Sequence, residues 1–64
     1  MIDLDKLRRT WGVEIERTMD HETLNHLGRL AKALNESTGD DHLPDEAYRV
    51  VCGWGKARRE ELSK

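Results

Sequence analysis

The run His21-Glu22-Thr23-Leu24-Asn25-His26 concentrates side chains that can bind a metal or carry a proton. Zinc chemistry on a helix uses His-Glu-x-x-His, with histidines four apart on one face and the glutamate beside the metal-bound water. Here the histidines are five apart. A helix advances about 100° per residue, so five steps leave the two rings roughly 140° apart and unable to chelate one ion. His42 and Cys52 add two more donors without paired spacing. No metal site and no cofactor are expected. Cys52 with a histidine would make a formal nucleophile and base, but that chemistry also needs an orienting group, an oxyanion hole and shelter from water. A short helical chain has little material for these. Cys52 is expected to be a partly buried thiol on the flank of a helix, and the protein a non-enzyme.

Phosphate and calcium chemistry find no better footing. Gly53 and Gly55 flank Trp54, outside the strand-to-helix context and Lys-Ser/Thr ending of a phosphate loop. Five acids and no Lys or Arg occupy Glu36 to Glu46, without the alternating order and final glutamate of a calcium loop. They are expected to form a solvated turn that also charges a helix N-terminus. The basic residues gather as Lys6, Arg8 and Arg9 and as Lys56, Arg58 and Arg59, interleaved with Asp3, Asp5, Glu60 and Glu61. Either group could touch phosphates, doubled in a symmetric dimer, although such mixtures usually form an ordinary solvated face. Leu30-Ala31-Lys32-Ala33-Leu34-Asn35-Glu36-Ser37 resembles a phrase common in phage-repressor helix-turn-helix domains. It covers eight of the 64 residues, has Asn35 where the turn glycine is usual, and assigns no family.

Trp11 and Trp54 each abut a glycine and sit on an apolar helical stripe. Core packing explains them by default, yet large aromatics also anchor interfaces. Val13, Ala33, Tyr48 and Cys52 fall off the main stripes, which suggests a second contact surface.

Three helices must position these residues. Asp3 is placed to cap helix one, predicted over 4–18, where Leu4, Leu7, Trp11, Ile15 and Met19 form one stripe. Gly12 weakens it, with a break expected near residue 12 or 18–20. Asp20 is placed to cap helix two, predicted over 21–35, with Met19 packing on Leu24 as a hydrophobic staple. Leu24, Leu27, Ala31 and Leu34 form its seam, Leu30 widens it, and Gly28 at the edge leaves room for another helix. Asn35 to Gly39 favours turns and ends the helix. Pro44, Asp45 and Glu46 open helix three, predicted over 45–62. Its apolar face is Ala47, Val50, Val51, Trp54, Ala57 and Leu62, and Gly53 and Gly55 could kink it.

The chain has 64 residues, 36% hydrophobic and 38% charged, and is read as one domain spanning residues 1–64. A chain this short hides only about 60% of its unfolded surface, which favours association. A net charge of −2 gives no global footprint for nucleic acid or anionic lipid. One cysteine, acids near the N-terminus and no long apolar run predict a cytoplasmic protein without a membrane span. The expected fold is all-α: an antiparallel hairpin of helices two and three plus an N-terminal helix. It is expected to form a dimeric bundle around Leu24, Leu27, Leu30, Leu34, Val50, Val51 and Trp54. The expected function is that of a small regulatory or inhibitory protein of the phage or mobile-element kind. It would bind a larger protein partner through Arg8, Trp11, Val13, Tyr48 and Arg58. The alternatives are a DNA-binding or transcription-modulating dimer, and an oligomer that holds a small anionic ligand between subunits.

Overall fold

The computed structural model describes residues 2–64, and among them only helices and connecting turns occur. The first helix, α1, covers 4–17. It starts as an ordinary α-helix over Leu4–Leu7, where the Asp3 carboxylate accepts the Lys6 N–H at 3.1 Å. Arg8–Gly12 then forms a π turn, in which the Val13 N–H donates to the Arg8 carbonyl, before Val13–Arg17 resumes the α-helix. The weak point foreseen at Gly12 is thus a widened turn and not a break. A turn closed between residues five apart brings such residues to one side, so Leu7 and Gly12 are both buried with Ile15. The predicted stripe loses its two ends: Leu4 is 53% exposed and Met19 78%.

Helix α2 is His21–Glu36, and the Asp20 carboxylate caps it by accepting the Thr23 N–H at 2.7 Å and the Thr23 hydroxyl at 3.1 Å. Met19 does not staple this helix. The chain leaves α1 at Thr18 with an extended backbone, which throws the Met19 side chain outward, near the Arg58 guanidinium. Leu24 and Ala31 are buried and Leu27 and Leu34 half-buried, as the seam requires. Leu30 is the exception, 44% exposed, because it sits on the side turned away from the next helix.

Helix α3 is the unbroken stretch Asp45–Leu62, so Gly53 and Gly55 do not interrupt it. It forms the spine. Asn25 faces Arg59 and Asn35 faces Asp45, so α2 runs antiparallel to α3. Gly12 lies near Trp54 and Thr18 near Arg58, so α1 runs along α3 in the same direction. The hairpin and its accompanying first helix are as expected. The connection is not wholly solvated: Leu43 is buried, its N–H donates to the Leu34 carbonyl at 3.0 Å, and the Asn35 amide donates to the Leu43 carbonyl at 2.9 Å. The second helix continues to the loop without the short turn and following helix of a helix-turn-helix; eight residues separate α2 from α3. The core consists of Leu7, Ile15, Leu24, Ala31, Leu43, Ala47 and Val51, with both tryptophans half-buried against it. Ala57 is exposed instead of joining this face. The molecule measures 36 × 21 × 15 Å. Its surface is 4992 Å², against about 4,200 Å² for a compact chain of this mass.

Candidate functional site

An open groove of about 540 Å³ lies between α2 and α3. It arises beside the core seam, where both helices carry a second stripe at helical spacing. On α2 the stripe is Asn25, Gly28, Arg29 and Lys32; on α3 it is Tyr48, Cys52, Gly55, Lys56 and Arg59. Steps of three and four keep such residues on one face. The apolar seam residues Leu24, Leu27 and Val51 form the floor, with Ile15 of α1 behind them. Glycine at positions 28 and 55 leaves the walls low. A Cβ added to either would meet nothing within 4 Å, so no other helix makes the close approach at Gly28 that the sequence suggested.

Electrostatics separates this groove from the rest of the surface. Arg29, Lys32, Lys56 and Arg59 line it and no Asp or Glu does, although acids outnumber bases in the chain. All four cations are exposed. Among the described residues the single ion pair is Arg58–Glu61, at 3.0 Å, so these four are unpaired by carboxylates. The Arg59 guanidinium donates to the Asn25 side-chain oxygen across one end of the groove. Tyr48 stands near the other end, where the Cys52 thiol beside it pushes the phenol above its ordinary range. Cys52 is a free, exposed thiol on the groove wall.

The residues singled out as partner contacts do not form one surface. Arg8 lies over the Trp54 ring at 5.5 Å from its centroid, in a cleft between α1 and α3 that Arg58 also lines. The Arg58 guanidinium is engaged within the chain: Nε and Nη2 donate to the Thr18 carbonyl at 3.1 and 2.9 Å, and Nη1 to Glu61. Trp11 lines a shallow hollow with Leu7, Leu43 and Pro44. Val13 is exposed on α1, and only Tyr48 belongs to the basic groove. Of the residues assigned to core or dimer, Leu24 and Val51 are buried and Leu27, Leu34, Val50 and Trp54 pack against the core of one chain, which leaves Leu30 free. Arg29 and Lys32 were not singled out in the sequence, Lys56 and Arg59 only as part of a basic group able to touch phosphates, and Gly28 only as room for another helix. Their signal in the sequence is the stripe at spacings of three and four beside each seam.

The metal and nucleophile candidates are dispersed. His21 Nε2 lies 3.5 Å from the Ser63 hydroxyl, and His42 Nδ1 lies 2.6 Å from the Ser37 carbonyl in the loop. His26 is exposed on α2. Among the described residues no three His, Cys, Asp or Glu side chains gather as a metal site would require. None of the helices is long and apolar enough to cross a membrane. No protein-family model, curated protein or solved structure matches the chain.

Proposed function

We propose that the protein is a small, non-catalytic regulatory or inhibitory protein that binds a larger protein partner, with the α2–α3 groove as its contact surface. The observation that carries this reading is the groove itself, an apolar floor with a basic, carboxylate-free rim in a chain of negative net charge. Protein segments bury apolar side chains and place charges around them, which is the pattern such a groove complements. A phosphodiester strand supplies charge but no apolar surface to cover the half-buried Leu27 and Tyr48, so the groove favours protein over DNA.

Affinity capture on the immobilised chain tests the reading, with elution by excess free chain. A protein that elutes specifically and resists nuclease treatment is the expected result. Recovery of nucleic acid alone, or of nothing above the bare matrix, refutes it. In the same reading the chain is a homodimer whose self-contact lies off the groove, because two faces of the same sign repel. The exposed Leu30 and a surface larger than a compact chain shows support that contact. Light scattering that finds only the 7.4 kDa species removes the dimer and leaves the groove assignment untouched.

A further inference from the structure

We propose that the occupant of the α2–α3 groove is an acidic amphipathic helix supplied by the partner protein. This rests on the protein-binding reading above and narrows it to one chemistry. Arg29 and Lys32 rise from α2, and Lys56 and Arg59 from α3, with no carboxylate between them. A guest with Asp or Glu on both flanks of an apolar stripe neutralises the two rims together. A second copy seated groove to groove would oppose four cations with four more. Electrostatic complementarity of this kind selects partners by excluding like-charged ones.

The floor and length fit a helix. Leu27 and Tyr48 are half-buried along the groove and Cys52 is exposed on its wall, and a helix provides an apolar stripe to cover them at spacings of three, four and seven. The groove runs along α3 from Tyr48 to Arg59, which at helical rise is about 16 Å, or three turns. Its low walls are consistent with close backbone approach. Gly28 and Gly55 are helical, with no positive φ, and nothing inside the chain occupies the space where a Cβ would stand. Packing within the chain therefore demands glycine at neither position, although alanine would stabilise both helices. Gly53 is equally open but does not line the groove, so it serves as a control.

The test uses a fluorescein-labelled amphipathic peptide with leucines on one face and glutamates on both flanks, and a twin with lysines replacing the glutamates. Anisotropy titrations with the full chain are expected to show the acidic peptide binding at least about tenfold more tightly than its twin, an advantage that shrinks as salt rises. Gly55→Leu fills the groove and is expected to weaken the acidic peptide by about tenfold or more, while Gly53→Leu changes it by less than about twofold. Circular dichroism confirms that both variants keep their helix. Equal binding of the two peptides, binding of neither, insensitivity to Gly55→Leu, or displacement of the acidic peptide by a short DNA duplex overturns the proposal. A Gly55→Leu chain that still captures the parent's protein overturns the groove assignment and leaves the protein-binding reading standing. A parent chain that captures nothing overturns the reading itself.

Discussion

Replacing Arg58 by alanine is expected to destabilise the fold, because this side chain fastens the end of α1 to the last turns of α3. Its Nε and Nη2 both donate to the Thr18 carbonyl, at 3.1 and 2.9 Å. Thr18 is only 4% exposed, and its carbonyl lies at the negative end of α1, where a cation is favoured. A hydrogen bond from a charged donor contributes about 1.5–3 kcal/mol. The exposed pair with Glu61 adds less than about 1 kcal/mol. The expected loss for Arg58→Ala is therefore about 2–3 kcal/mol, taken from a total of roughly 3–10 kcal/mol for a chain of this length. That corresponds to a fall in Tm of roughly 10–20 °C. Arg58→Lys should recover part of the loss, since an ammonium donates without the guanidinium fork. Glu61→Gln should stay within about 1 kcal/mol of the parent. Urea unfolding followed by circular dichroism reads all three. If Arg58→Ala unfolds within about 0.5 kcal/mol of the parent, the contact is not holding α1 in place. Arg58 would then be free for the partner role its sequence position suggested.

Three further outcomes follow from the packing. Leu24→Ala removes a buried seam side chain at a cost of about 2–5 kcal/mol and should leave the chain largely unfolded, whereas Leu30→Ala should shift stability by less than about 1 kcal/mol. Equal urea midpoints for the two would refute the seam. Gly12→Leu drives a side chain against Arg8, whose Cγ would be 3.2 Å from the new Cβ, and Trp54, whose Cζ3 would be 3.6 Å away. It should cost about 1–3 kcal/mol and alter the tryptophan emission; an unchanged spectrum and midpoint would show that the close approach is absent. The Thr23 N–H and hydroxyl hold the Asp20 carboxyl below its ordinary range. Its stabilisation is complete above the unfolded-state value of about 3.9 and is lost as pH falls through the lower folded value. Asp20→Asn keeps an acceptor for the cap but removes this titration, so its acid limb should be flatter than the parent's in urea midpoints measured down the pH scale. Parallel limbs would refute the assignment.

The caps and helix spans were legible in the chain. Asp3 and Asp20 act on amides three residues away, and the seam of α2 follows a period of three and four, so both are local properties. Met19 and Leu4 were misplaced for an equally physical reason. A stripe drawn on an ideal helix assumes a constant turn, and the π turn at Arg8–Gly12 and the exit at Thr18 change the phase. Leu43 was missed as a core residue because it lies in a polar connection, where periodicity gives no information.

The basic groove shows where sequence reading stopped. The composition gives a net charge of −2, with Lys56 and Arg59 near Glu60 and Glu61 in the chain and no acid at all between Glu22 and Glu36. Pairing α2 antiparallel to α3 sorted those charges in space: Arg29 and Lys32 came to face Lys56 and Arg59, while Glu60 and Glu61 turned elsewhere. The same pairing drew Arg58 inward to Thr18, forty residues away. Sequence determined which helices form and the central seam of each, because hydrogen bonding and hydrophobic period act over a few residues. Only the tertiary structure decided which flanking stripes meet, because that depends on the rotation of one helix against another, set by the packing of both seams.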